Sequence, residues 1–281
     1  MLQVKFYGVR GSISVSGEQY TEFGSNTTCI QLMTTETGRI GVLDAGTGIR
    51  DLGKDFIDRK SDQKDIFIAF SHFHWDHIQG FPFFLPAYDP EMEINILAMG
   101  DEREIDNIRD IFDVQMQERY FPVSIDEMGA TFNFIHIAKD HATFMPPDGV
   151  PVNVVCQRHS HPGAAYSYRY EREGLVVTIC TDIEHGDSID QNIVELARGS
   201  DILIHEAQYT EDEYSTKRGW GHSTYEQAIE VARQAGVKQL VITHHDPDHD
   251  DAFLREQEAR CQAIMPNLVF TREGMTVDAP A

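Results

Sequence analysis

Short apolar runs separated by glycine and polar residues recur along the chain, and their length and β-branched content predict strands more often than helices. Residues 4–9, 29–34 and 40–43 read as strands in the first half, each closed by glycine-rich or polar punctuation. Residues 66–70, Ile-Phe-Ile-Ala-Phe, read as a buried strand. In the second half, residues 152–156, 175–180 and 239–243 read the same way. A helical period shows between residues 101 and 117, where Ile105, Ile108 and Phe112 share a face, so an amphipathic helix is expected there. Residues 80–86 are too apolar for an ordinary surface loop and too proline-rich for a helix, and are expected to wall a site. Residues 118–150 give no clear pattern.

The candidate chemistry lies at the ends of the predicted strands. The run 66–70 leads into Ser71-His72-Phe73-His74-Trp75-Asp76-His77. Side-chain alternation at a strand end sends His72 and His74 to one side, and Asp76 and His77, past the turn, can address a second point a few ångströms away. Two points lined by imidazole and carboxylate suit a pair of metal ions. Three further predicted strands end in candidate ligands: His159-Ser160-His161, Thr181-Asp182 and His244-His245. Asp182 is the best bridging candidate, because a carboxylate can span two cations and an imidazole cannot. Asp44, at the end of 40–43, either supports a metal-binding histidine or caps the next helix. His245 should point away from its neighbour His244, and His136 and His141 read as ordinary histidines. The acidic spacing of 246–251 resembles a calcium loop, but Asp251 and Gln257 stand where glycine and glutamate are needed, so a polar turn entering a helix is expected.

Composition narrows the partners. A chain of 281 residues can bury a sizeable core. The 46 Asp plus Glu against 23 Lys plus Arg give a formal net charge of −23, so large nucleic acids are not expected as partners. A small phosphate ester drawn in by local metal charge is. Cys29, Cys156, Cys180 and Cys261 are widely spaced and are expected to be reduced and buried. With no leader-like or membrane-spanning stretch, a cytoplasmic location without membrane contact is expected.

The motifs together resemble the metallo-β-lactamase-fold hydrolase superfamily, and within it the ribonuclease Z and cyclic phosphodiesterase branch. The resemblance runs from Gly8-Val9-Arg10-Gly11-Ser12 and Leu43-Asp44-Ala45-Gly46 through the histidine motif to Thr243-His244. It implies an α/β fold, a four-layer αββα sandwich, with residues 1–281 forming one domain. His161, seven residues before Tyr168, is similar to that branch's third motif and is thereby selected over His159. Carried over, the resemblance implies that His72, His74 and His161 hold one divalent ion and Asp76, His77 and His244 a second. Asp182 and a hydroxide would lie between them. Zinc is the first expectation, with manganese or iron compatible. His205-Glu206-Ala207 and Gly221-His222-Ser223-Thr224 resemble ribonuclease Z segments, which implies catalytic roles for Glu206 and His222 beside Asp76, with Glu206 orienting His222.

The implied reaction is hydrolysis of a small, cyclic phosphodiester. The alternatives are a ribonuclease Z-like endonuclease, a thioester or lactam hydrolase, and a non-catalytic sensor that keeps the fold. Relatives of this branch often form homodimers, so a second copy is an implied partner, with residues 81–85 and 101–117 as candidate contact surfaces.

Overall fold

The computed structural model describes residues 2–34, 36–60, 62–100 and 107–279. The chain builds two seven-stranded sheets of the same plan. The first contains β1 (Leu2–Gly8), β2 (Cys29–Thr34), β3 (Ile40–Leu43), β4 (Asp65–Ala69), β5 (Glu93–Met99) and β6 (Thr131–Ile137). The second contains β7 (His141–Phe144), β8 (Val152–His159), β9 (Ala165–Arg172), β10 (Leu175–Cys180), β11 (Ile202–Glu206), β12 (Gln239–Thr243) and β13 (Leu268–Phe270). The final strand, β14 (Thr276–Asp278), returns to the first sheet, giving the orders β14-β1-β2-β3-β4-β5-β6 and β13-β12-β11-β10-β9-β8-β7. In each sheet, one half is antiparallel and the other parallel: β3 to β6 run together in the first, β10 to β13 in the second.

Seven α-helices are present among the described residues: α1 (Ile49–Asp58), α2 (Trp75–Ile78), α3 (Ile108–Gln115), α4 (Gln191–Ala197), α5 (Glu211–Lys217), α6 (Tyr225–Ala235) and α7 (Asp251–Ile264). Three apolar clusters show how the layers stack. Val4, Phe6, Ile30, Leu32, Val177, Ile179, Ile204 and Val241 fill the space between the sheets. Ile49, Leu52 and Phe56 of α1 and Phe112 of α3 cover the outer face of the first sheet, against Ile66, Ile68 and Ile94. Val194, Ile229, Val231 and Leu254 of α4, α6 and α7 cover the second, against Leu203, Leu240 and Ile242. The strands feeding both clusters are buried on two faces, which is why they read as continuous apolar runs. The result is the expected αββα sandwich.

Several expectations changed in detail. Of the helix expected over 101–117, the described residues form α3, and residues 101–106, with Ile105, lie outside the described residues. Residues 81–88 form two short 3-10 turns that bury Phe81 and Phe84 under α3 and α1, so this stretch is chiefly core, not a wall of the site. The unreadable stretch 118–150 contains β6 and β7, whose residues are mostly half-buried or exposed and so lack a clean pattern. The 246–251 turn does enter a helix: Asp250 caps α7 through the N–H of Phe253. All four cysteines are free and buried. No helix is long and apolar enough to cross a membrane among the described residues.

The loop after β3 is seated by close backbone packing. A Cβ on Gly46 would lie 2.3 Å from the carbonyl oxygen of Asp76 and 2.6 Å from that of Thr28. One on Gly80 would lie 2.0 Å from the carbonyl oxygen of Gly46. These two glycines let α2 and its acidic and imidazole groups sit against the end of β3. Gly46→Ala is expected to destabilise the fold by about 1–3 kcal/mol, read as a lower thermal midpoint; an unchanged midpoint would show that this contact gives way without strain.

Candidate metal centre

Ligands of open α/β sheets gather outside the carboxyl ends of parallel strands, and that is where the predicted side chains meet. β3 delivers Asp44, β4 the segment 71–77, β10 Asp182, β11 Glu206 and β12 His244, while the β8–β9 turn brings His161 across. Among the described residues, seven non-glycine residues have a left-handed backbone, and four of them lie here: Ser12, Asp44, Asp182 and His244. Such conformations cost about 1–3 kcal/mol each, so the surrounding contacts must hold the chain in a turn that aims these side chains inward.

Asp182 is the hub. Its Oδ1 lies 3.1 Å from His244 Nε2, 3.9 Å from both His72 Nε2 and His161 Nε2, and 4.0 Å from His222 Nδ1. Its Oδ2 lies 3.1 Å from His77 Nε2. Asp76 Oδ2 lies 3.3 Å from His77 Nε2 and 3.7 Å from His244 Nε2. His74 Nδ1 and His161 Nε2 are 3.1 Å apart, near the spacing of about 3.3 Å for two nitrogens on one tetrahedral zinc at ordinary bond lengths. Two groups able to hold an ion therefore form, His72, His74 and His161 beside Asp76, His77, Asp182 and His244. A third overlapping group, His161, Asp182 and His222, shares their wall. The expected residues are all brought together.

The outer nitrogens are fixed by partners of which the sequence singled out only Asp44. His77 Nδ1 donates to Asp44 Oδ2 at 2.8 Å, and Asp44 also accepts from the N–H and hydroxyl of Ser71. Asp44 thus supports a histidine; the helix-capping alternative fails because the cap of α1 is Gly48. His161 Nδ1 donates to Gly221 O at 2.8 Å, and His244 Nδ1 pairs with Thr28 Oγ1 at 2.9 Å. Ser12 N donates to Asp76 Oδ2 at 2.9 Å, and Gly11 has no room for a Cβ against Gln208 and His244. Arg10, fully buried, donates to Gly24 O, Asp246 O and His249 O, tying the opening motif to the turn after β12. These contacts depend on long-range folding, which a local motif cannot express.

The inner atoms are left bare. His72 Nε2, His77 Nε2, His244 Nε2 and Asp182 Oδ2 are buried and have no hydrogen-bond partner. Burial opposes charge on His77, but Asp182, Asp76 and Asp44 outweigh it and hold the imidazole well above the ordinary histidine range. Asp182 goes the other way: burial would raise it, yet His244, His77 and His72 hold it well below the carboxylate range. The pocket favours positive charge at its centre. A divalent cation would meet that demand and occupy each bare atom, so the donor set fits a metal.

Glu206 is placed differently from the expectation. Its Oε1 accepts from the N–H groups of Ile183 and Ser223, while Oε2 has no partner and stands 3.8 Å from His222 Nδ1. That separation is too long for a hydrogen bond, so Glu206 positions His222 through the backbone of the next residue. Burial, reinforced by the charge of Asp182, pushes its carboxyl well above the usual range. Burial pushes His222 down to about 3.

The remaining histidines lie outside the three groups. His159 is buried, has neither ring nitrogen bonded, and is pushed down to about 3 by burial. His245 points away, as expected, packs between Phe23 and Phe270 and bonds Thr271 O.

Comparison with known proteins agrees with this fold. A family profile described as a beta-lactamase superfamily domain matches residues 41–245. The chain belongs to the beta-lactamase superfamily. A ribonuclease Z from Parasynechococcus marenigrum is 39% identical over 115 residues, which are 38% of this chain and 34% of that protein. The match thus spans about a third of the relative's length. Among solved structures, the metallo-beta-lactamase fold protein YhfI from Bacillus subtilis has a TM-score of 0.69 at 17% identity, covering 98% of each chain. The short form of human tRNase Z has a TM-score of 0.66 at 18% identity, covering 99% of this chain and 100% of that one. At such identities these two show the shared fold.

One expectation is overturned by the relatives. Large nucleic acid was not expected as a partner, yet chains named ribonuclease Z are among the relatives found. The physical reason is that a net charge of −23 is an average over the whole surface. It says nothing of the field at one pocket, where bound cations are the largest local charges.

Asp44→Asn keeps the shape but weakens the grip on His77. It is expected to lower divalent-metal affinity about 10–100-fold, measured by titration with a competing chelator; wild-type affinity in this variant would remove Asp44 from the support of the site.

Proposed function

We propose that the chain is a dinuclear-metal-dependent hydrolase of phosphodiesters. The observation that carries this reading is the set of bare imidazole and carboxylate atoms facing one another around Asp182. His72, His74 and His161 would hold one ion, Asp76, His77 and His244 the other, with Asp182 shared. Zinc suits this imidazole-rich set best. Two such cations, when bound, supply Lewis acidity that ionises a water near neutral pH and offsets phosphate charge.

The protein's own groups do the rest. Ser12 N–H holds Asp76 in place, which lets that carboxylate orient the attacking water. His222 is neutral at pH 7, because burial disfavours its charged form. It therefore acts as an N–H donor steadying a non-bridging phosphate oxygen, in preference to a charged acid. Glu206 holds the backbone beside His222 by accepting from the N–H groups of Ser223 and Ile183.

For substrate, the small cyclic phosphodiester is one reading. The relatives named ribonuclease Z favour a second, endonucleolytic cleavage of RNA. Both are phosphodiesters and use the same centre.

Purified protein is expected to carry about two divalent ions per chain and to cleave a bis-aryl phosphate, with His74→Ala losing both. Turnover of nitrocefin or a thioester, and none of the phosphodiester, would move the chain to another reaction class. A panel of cyclic nucleotides, ribosyl cyclic phosphate and precursor tRNA separates the two substrate readings. His222→Ala is expected to keep its metal and lose turnover by about 10²–10³; loss of metal from that variant would make His222 a ligand instead.

A further inference from the structure

The chain has two tryptophans, and both are exposed next to the candidate centre. Trp75 lies between His74 and Asp76 and is 63% exposed; Trp220 precedes Gly221 and His222 and is 62% exposed. Tryptophan is largely buried on average, so this placement asks for a reason. Their chain neighbours meet at the centre. His74 meets His161 at 3.1 Å, and His161 in turn bonds Gly221 O, so two contacts in series join the residue beside Trp75 to the residue beside Trp220.

Both are also held from behind. Glu184 accepts from the N–H groups of Gly219 and Gly221, on either side of Trp220, and from the hydroxyl of Tyr214. Gly221 has φ +94°, and a Cβ there would lie 2.3 Å from His161 Nδ1, so this loop is pressed directly onto the histidine. Trp75 opens α2, whose last carbonyl, that of Ile78, accepts from Gln115 Nε2. Among the described residues, neither indole ring stacks on another ring or makes a hydrogen bond. Two unpartnered aromatic faces on anchored backbone beside a candidate phosphodiester site offer a stacking platform.

We propose that Trp75 and Trp220 form a nucleobase subsite, so that the substrate is a phosphodiester carrying a base near the reacting phosphate. The subsite rests on the phosphodiesterase reading for its meaning, and its test does not depend on turnover. Base stacking on an aromatic side chain tolerates all sequences, so the base is recognised as a class.

The test uses metal-loaded full-length protein and its intrinsic tryptophan fluorescence, which arises from these two residues alone. Adenosine 5′-monophosphate, ribose 5-phosphate and a short single-stranded RNA are titrated in parallel. The two base-bearing probes are expected to quench, and the mononucleotide to bind about tenfold tighter than ribose 5-phosphate. In Trp75→Ala and Trp220→Ala that advantage should shrink towards unity, with ribose phosphate affinity unchanged. Tighter binding of the RNA points to a polymer end as the source of the base, and tighter binding of the mononucleotide to a free nucleotide; either supports the subsite. Equal affinity with and without the base, or an advantage surviving in both variants, would overturn it. Base-dependent quenching with no phosphodiester turnover would sink the catalytic reading and leave the subsite standing. Turnover with no base preference would do the reverse.

Discussion

The structure depends on one arrangement: a fully buried carboxylate, Asp182, surrounded by imidazoles whose inner nitrogens approach it without forming a well-aligned hydrogen bond. Buried polar atoms without partners are expensive, at about 1–3 kcal/mol each, and four of them face the same point here. A protein holds such atoms together only if something else satisfies them. Two cations would do so in one step, which would make metal binding and completion of this end of the fold the same event.

The sandwich supplies the rigidity this needs. Each sheet changes from antiparallel to parallel part-way across, and β3 and β10, the strands at the two changeovers, lead to Asp44 and Asp182. Both residues then turn in a left-handed conformation, as does His244 after β12. The apolar layer between the sheets sets how far apart these strand ends lie. Ligand spacing is thus decided by packing at a distance, while the direction of each side chain is decided by the turn at its own strand end.

Much of this was legible in the sequence where function is local. The segment 71–77 carries its ligands at fixed spacing after an apolar strand, and the expected strands 29–34, 40–43, 175–180 and 239–243 have the observed bounds. Asp182 and His244 were readable because each follows a strong strand signal, and His161 through its resemblance to the branch's third motif. Less was legible where the pattern is mixed. β6 and β7 are only partly covered, so their residues alternate weakly, and β13 and β14 are three residues long. Thr28, Ser12 and Gly221 could not be assigned roles in advance, since each acts across a wide sequence gap. Arg10 and Gly11 stood in a recognised motif whose purpose, bracing the turn after β12, only the fold reveals. Net charge misled for a related reason, since a sum has no position.

The most direct test is an anomalous difference map at the zinc edge from crystals of the zinc-loaded protein. Two peaks about 3.5–4 Å apart, one against His72, His74 and His161, the other against Asp76, His77 and His244, with Asp182 between them, are the predicted result. A single peak, or peaks away from Asp182, would contradict a shared dinuclear centre.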